Sequence, residues 1–135
     1  MKIELASELD YTYIADHDRH LLESLILKKI NNKEIFMLRN QEDLKIGWMR
    51  YGYFWDNTPF LNMIWINEEY RNNGMGKQAI LFWENEMKLE GHSLVMTSTL
   101  ANEEAQHFYR KLGYKDSGCL LLENEPLEII FTKAI

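Results

Sequence analysis

The sequence holds a single cysteine, Cys119, and this scarcity excludes an internal disulfide and a zinc site built on several thiolates. Its setting, Cys119-Leu120-Leu121-Leu122, predicts a packing role within an apolar run rather than a nucleophile. No stretch approaches the ~20 apolar residues that a membrane span needs, and the N-terminus lacks the apolar region of a signal peptide. A cytoplasmic location away from membranes is therefore expected. Basic residues are the minority: fifteen Lys and Arg against twenty-one Asp and Glu give a net charge of −6, which argues against nucleic acid as a partner. Internal repeats, low-complexity tracts and linkers are also missing. What remains is 135 residues, 46% hydrophobic and 27% charged, a composition expected to fold as one domain over residues 1–135 with its own core.

Apolar periodicity and turn residues divide that span into eleven elements. Lys2 to Ala6 reads as a short strand, and Ser7-Glu8-Leu9-Asp10 as a capping box opening a short helix. A second helix runs from His20 to Ile30 and closes at Asn31-Asn32. Strands Glu34 to Leu38, Leu44 to Tyr53 and Phe60 to Ile66 follow as an antiparallel meander, with a bend at Asn57-Thr58-Pro59. A long helix carries Ala79, Ile80, Phe82, Trp83 and Met87 on one stripe and ends at Gly91. Leu94 to Ser98 is a strand, and Asn102 to Leu112 a helix capped by Asn102 and closed by Gly113. Strands Tyr114 to Leu122 and Leu127 to Thr132 finish the chain around Asn124-Glu125-Pro126. The order β-α-α-β-β-β-α-β-α-β-β is a mixed α/β (α+β) fold, a sheet flanked by helices.

Arg71-Asn72-Asn73-Gly74-Met75-Gly76 stands between a strand and that long helix. Glycines let the backbone approach an anion, and a helix start offers unpaired N–H groups with partial positive charge, so the turn suits a phosphate. A P-loop is excluded, because Lys77 is followed by Gln78 and no glycine stands at the required distance upstream. Gly74, Gly76 and Ala79 satisfy the dinucleotide spacing, but Asn67 to Asn73 separates them from the strand. The acidic residue expected ~20 positions on is replaced by Ser98 and Thr99. A plain turn before a helix remains the simplest alternative.

The six residues match the Gln/Arg-x-x-Gly-x-Gly motif of the GNAT superfamily of N-acetyltransferases. Asn102-Glu103-Glu104-Ala105-Gln106-His107-Phe108-Tyr109, followed by Leu112-Gly113-Tyr114, resembles that superfamily's second signature. The resemblance spans nearly the whole chain and implies a mostly antiparallel sheet splayed between the fourth and fifth strands. It implies acetyl-CoA as donor co-substrate and direct attack of an amine in a ternary complex. Asn72, Asn73, Gly74, Met75, Gly76 and Lys77, with Arg71, would hold the pyrophosphate. The strand at Ile64 and Ile66 would meet the pantetheine arm and offer an oxyanion donor, and Asn102 would bond the same arm. Tyr109 would be the general acid for the leaving thiolate, since a phenol of pKa ~10 is protonated at neutral pH; a packed core tyrosine is the other reading.

The family's usual glutamate base has no counterpart on Phe60 to Ile66, where Asn62 is the polar residue. Glu68, Glu69, Asp56 or a water chain remain as alternatives. The acceptor, a small-molecule or peptide amine, would meet the early helices and the stretch from Tyr51 to Asn57. Tyr53, Trp55, Asp56 and Asn62 are the candidate contacts. Asp16-His17-Asp18-Arg19-His20 lies in the same region, but adjacent residues do not converge on one ion as i, i+4 spacing does, and no metal is expected. A non-catalytic acyl-CoA-binding or sensor domain is the rival class. A nucleotide-binding oxidoreductase is more distant, and oligomeric state, a homodimer included, is left open.

Overall fold

Ser7 and Asp10 form the capping box in the computed structural model, which describes residues 1–135. Ser7 N–H donates to Asp10 Oδ2 at 2.9 Å and Leu9 N–H donates to Ser7 Oγ at 3.3 Å. The box opens a 3-10 turn, Glu8–Asp10, that passes into α1, Tyr11–His17. Helix α2 spans Glu23–Asn31 and starts later than His20. The Asp18 carboxylate takes the His20 and Leu21 N–H groups at 3.0 and 3.3 Å, holding that stretch as a turn. The exit falls where expected, with Asn31 as the last helical residue and Asn32 as the C-cap. Lys33, at φ 60°, follows the cap and completes the reversal, with Lys33 N–H on Ile30 O and Glu34 N–H on Lys29 O, both at 3.0 Å.

The strands are β1 Lys2–Leu5, β2 Ile35–Arg39, β3 Lys45–Phe54, β4 Thr58–Ile66, β5 Leu94–Leu100, β6 Lys115–Leu120 and β7 Glu128–Ala134. They join in the order β1-β2-β3-β4-β5-β7-β6. Helices α3, Met75–Leu89, and α4, Ala105–Lys111, complete the predicted element order. No helix is long and apolar enough to cross a membrane. On α3 the stripe Ala79, Ile80, Trp83 and Met87 is fully buried, as its 3.6-residue spacing requires.

The chain forms two compact units. The first, Met1–Tyr51 with Met63–Phe82, packs Ile14, Ile26, Ile30, Ile35, Met37 and Trp48 together. Its β1–β2 and β2–β3 ladders are antiparallel, with a shift at Leu38/Arg39. Within it Gly47 touches β4: a Cβ there would fall 2.2 Å from the Trp65 carbonyl oxygen, so only glycine permits this approach.

The second unit, Gly52–Asn62 with Trp83–Ile135, is organised on β7. That strand pairs antiparallel with β5, from Leu94↔Ala134 to Leu100↔Glu128, and with β6. The parallel register of β4 with β5 joins Phe60 to Met96 and Leu61 to Thr97, a short ladder, as strands that splay require. Trp55 and Asp56, at φ 54° and 64°, form the two-residue turn between β3 and β4, closed by Asn57 N–H on Phe54 O at 3.2 Å. Two successive left-handed residues match the right-handed twist of a hairpin. The reversal therefore precedes Thr58-Pro59, which already belong to β4.

Two sequence-based expectations fail in this unit. Asn102 does not cap α4, which starts at Ala105 after an N-cap Glu104 that makes no side-chain cap bond. Gln106 instead reaches back, donating to the Ala101 and Glu103 carbonyls at 2.8 and 2.9 Å. Cys119 is exposed rather than packed, and Leu120, Leu121 and Leu122 are exposed with it. β6, Lys115–Leu120, ends the strand order with no neighbour on one edge, and Leu121 and Leu122 lie beyond it.

Candidate functional site

Strand β4 ends at Ile66, and Asn67 N–H donates back to Ile46 O at 2.7 Å. A 3-10 turn, Glu68–Tyr70, leads to Arg71. Asn72 and Gly74 then take left-handed conformations, φ 65° and 76°, and α3 begins at Met75. Gly74 is the position where a side chain would be strained, although a Cβ would meet nothing within 4 Å. Gln78 N–H bonds Gly74 O at 3.1 Å. The amides of Met75, Gly76 and Lys77 precede it and have no carbonyl partner within the helix. They form a positively polarised concentration of donors beside the exposed backbone of Asn72 and Asn73.

Arg71 folds back on its own strand. Its Nε donates to Ile66 O at 2.6 Å, and its guanidinium lies 5.9 Å from the Trp65 ring centroid. It braces the junction of β4 with the turn. Lys77 is exposed on the first turn of α3, Ile64 is half-buried and Ile66 is buried. A cavity of about 250 Å³, lined by Met1, Asn40, Gln41, Glu42 and Met75, adjoins the helix start.

In the same unit Trp65 belongs to an aromatic group, with ring centroids 4.9 Å from Trp48 and 5.4 Å from His17. His17 Nδ1 donates to Tyr13 O at 2.7 Å. Asp18 is turned to the interior, its Oδ2 accepting from Arg50 Nε at 2.8 Å. Burial alone would raise this carboxyl. The Arg50 bond and the His20 and Leu21 amides outweigh it and hold the carboxyl below its ordinary value. The Asp/His string is thus divided between structural bonds, and no group of three or more His, Cys, Asp or Glu side chains is placed to hold a metal ion.

In the second unit Tyr109 is buried, 5% exposed, with ring centroids 5.2 Å from Phe108, 5.4 Å from Tyr114 and 6.2 Å from Phe131. Burial pushes its phenol up to about 12, against a hydrogen bond with Thr97 that works the other way. Thr97 in turn donates its hydroxyl to Leu61 O at 2.9 Å, so the phenol sits at the short β4–β5 ladder. The Leu112-Gly113-Tyr114 signature acts as a helix stop: Gly113 N–H bonds Arg110 O at 3.0 Å and Tyr114 N–H bonds Tyr109 O at 3.1 Å. Tyr114 O–H then donates to Glu84 Oε2 at 2.9 Å, and Lys133 Nζ donates to Glu84 Oε1 at 2.7 Å. Burial and the Glu84 carboxylate both raise the Tyr114 phenol. Asn102 is exposed in the turn before α4.

A cavity of about 350 Å³ opens in this unit, lined by Tyr53, Phe54, Phe60, Asn62, Ser98, Leu120 and Ile130. Of the four acceptor candidates, Tyr53 and Asn62 line it. Trp55 and Asp56 do not; they occupy the hairpin tip, where Trp55 is 79% exposed. Phe60, Ser98, Leu120 and Ile130 were not singled out by the sequence. Phe54 had a local signal in the aromatic stretch Tyr53-Phe54-Trp55, whereas Leu120 and Ile130 come from strands far along the chain and had none.

Known acetyltransferases share this architecture. Ard1 from Thermoplasma volcanium is similar at TM-score 0.83 and 13% identity, over 99% of this chain and 97% of its own. The NatC complex bound to Gag peptide and CoA is similar at TM-score 0.80 and 14% identity, over 100% and 99%. The spermidine/spermine N-acetyltransferase SpeG from Vibrio cholerae is similar at TM-score 0.79 and 13% identity, over 98% and 91%. No curated protein sequence matches the chain. The model of the Acetyltransferase (GNAT) family matches residues 3–114. This chain, with its glycine turn, short parallel ladder and buried tyrosine, belongs to the GNAT family of acetyltransferases.

Proposed function

We propose that this protein, acting as one domain over residues 1–135, is an N-acetyltransferase that moves an acetyl group from acetyl-CoA to an amine in a ternary complex. The observation that carries the reading is the start of α3, where Gly74 turns the chain left-handed and Met75, Gly76 and Lys77 present unpaired amides. That donor set fits a pyrophosphate, which is doubly charged and needs several N–H groups at once. Asn72 and Asn73 extend it, Lys77 adds exposed charge, and Arg71 contributes by fixing the turn on Ile66. The backbone of β4 at Ile64 and Ile66 is assigned to the pantetheine amides, and an N–H near Ile66 to the carbonyl oxygen that becomes negative. Asn102, relieved of capping, is free in role to bond the same arm.

Acetyl-CoA supplies an activated acyl carbon. The amine nitrogen bonds to that carbon, the carbon–sulfur bond breaks, the amine proton leaves to water and the thiolate gains a proton. Tyr109 is assigned to the departing sulfur. A phenol at about 12 is fully protonated at neutral pH. It also holds that proton more tightly than a thiol of pKa ~8.5 does, so its contribution is a hydrogen bond to the thiolate, completed by transfer only as charge builds there. The wider setting of this reading is a cytoplasmic enzyme with no nucleic-acid partner, supported by the net charge of −6.

The test is thiol release from acetyl-CoA with a panel of amines, comparing wild type with Tyr109→Phe. Amine-dependent release that falls in the variant supports the proposal. Tight acetyl-CoA binding without amine-dependent release would convert it to the non-catalytic sensor reading.

A further inference from the structure

Glu84, on α3, is a buried residue, 7% exposed, that the acetyl-transfer steps do not use. Its carboxylate accepts two bonds, from Tyr114 O–H at 2.9 Å and from Lys133 Nζ at 2.7 Å. The Lys133 ammonium also stands 5.5 Å from the Tyr114 ring centroid, so one cation faces both the carboxylate and the ring. A buried ion pair of this kind is a poor source of stability. Taking both charges out of water offsets most of their attraction, and apolar residues of the same size often hold a core as well. What the pair adds is direction. It gives the Tyr114 hydroxyl one place to point and ties the ring to both α3 and β7.

The ring so tied touches Tyr109. Their centroids are 5.4 Å apart at an interplanar angle of 73°, an edge-to-face contact, and Tyr114 N–H bonds Tyr109 O at 3.1 Å. Phe131, two residues before Lys133 on β7, bounds Tyr109 at 6.2 Å, and Thr97 meets the phenol oxygen. Every one of these groups lies in the second unit. We propose that Tyr114, anchored by Glu84 and Lys133, is a positioning residue that sets the ring of Tyr109 and with it the direction of the phenol O–H. The proposal rests on the assignment of Tyr109 to the departing sulfur and says what holds Tyr109 to that task. A hydrogen bond to a developing thiolate is directional, and a misplacement of about 1 Å costs a reacting group up to about 10²-fold. Phenylalanine at position 114 keeps the edge contact but loses the tie to Glu84, so the two rings are left to shift together.

The experiment compares Tyr114→Phe, Glu84→Gln, Tyr109→Phe and the combination of Tyr109→Phe with Tyr114→Phe, using the amine of the panel that wild type acetylates fastest. Tyr114→Phe is expected to lower kcat about tenfold with both KM values within about twofold. Glu84→Gln keeps an oxygen to accept the Tyr114 hydroxyl and should hold kcat within about twofold of wild type. In the Tyr109→Phe background, Tyr114→Phe should cost nothing further, because it acts through the missing hydroxyl. An independent loss in that background, or wild-type kcat in a folded Tyr114→Phe, overturns the positioning role. A second readout needs no turnover: the flip rate of the Tyr109 ring, by NMR of tyrosine-labelled protein. It is expected to rise several-fold in Tyr114→Phe and to stay at the wild-type rate in Glu84→Gln. A raised flip rate beside a Tyr109→Phe enzyme as fast as wild type supports the positioning role and overturns the assignment of Tyr109 to the sulfur. An unchanged flip rate in a folded Tyr114→Phe overturns the positioning role alone. Melting temperatures report the fold. Should Tyr114→Phe not fold, Glu84→Leu combined with Lys133→Met removes the anchor without stranding a charge and carries the same expectations.

Discussion

The start of α3 and the aromatic cavity are built by opposite means. At α3 the polar groups on offer are backbone amides, delivered by a few consecutive residues from Asn72 to Lys77. Side-chain identity matters there only where the backbone must turn, at Gly74. The cavity uses side chains brought together from β3, β4, β5, β6 and β7, and every one of its properties depends on which residues meet. A backbone site is specified by conformation and so leaves a compact motif. A side-chain site is specified by tertiary contact, so it can change chemistry while the fold stays the same. The similar structures illustrate this: one binds a peptide and another is a spermidine/spermine enzyme, both at under 15% identity to this chain.

The comparison can be broken at its catalytic end first. Tyr109→Phe removes the hydroxyl proposed to donate to the sulfur and is expected to lower kcat about 10²-fold. The KM values for both acetyl-CoA and amine should stay within about twofold, as steady-state kinetics would show. A purely structural Tyr109 would lose stability instead, visible as a lowered Tm with kcat unchanged. Gly47→Ala comes next. Its methyl group would collide with the Trp65 carbonyl, a backbone atom that cannot swing aside. A cost of about 2 kcal/mol in denaturant unfolding is expected from overpacking of this kind. Because the clash bears on the end of β4, the acetyl-CoA KM should rise as well.

Gly74→Ala sharpens the distinction between the two regions. A left-handed alanine costs about 1–2 kcal/mol, so acetyl-CoA affinity by calorimetry should weaken roughly tenfold. The smallest effect at neutral pH concerns the Tyr109 phenol. Its folded value of about 12 lies above the unfolded value of ~10. The stabilisation this represents is fully present below pH ~10 and is lost as pH rises from there toward 12. Tyr114 is raised too and acts in the same direction. Denaturation midpoints followed against pH should therefore be flat with respect to these groups through neutrality and fall above pH ~10, and Tyr109→Phe should soften that fall.

Much of the fold was legible because its signals are local. The stripe of Ala79, Ile80, Trp83 and Met87, the capping box at Ser7 and Asp10, and the stop at Gly113 each depend on neighbours within a few residues. The failures have several causes, some local and some distant. Asp18 serves Arg50 and the amides after it, which delays α2. Gln106 satisfies the carbonyls before α4, and Asn102 is left out of the cap. Cys119 and the leucines after it read as core because apolar runs usually pack, but Cys119 and Leu120 are on the strand at the end of the sheet order and Leu121 and Leu122 lie past it. The turn at Trp55 and Asp56 carries no glycine, so its left-handed pair was hidden.

The sequence by itself determined the donor side of this protein: the family, the element order and the amide-rich turn before α3. Conformational requirements such as a left-handed Gly74 must be written into neighbouring residues, and there they can be read. Only the tertiary structure decided the cavity of the second unit. It placed Tyr53 and Asn62 in a cavity, left Trp55 and Asp56 at a hairpin tip, and supplied Ser98, Leu120 and Ile130 from strands remote in the chain. The physical reason is that a helix start organises its donors through bonds between near neighbours, whereas the charge and shape of a cavity exist only once distant strands have paired.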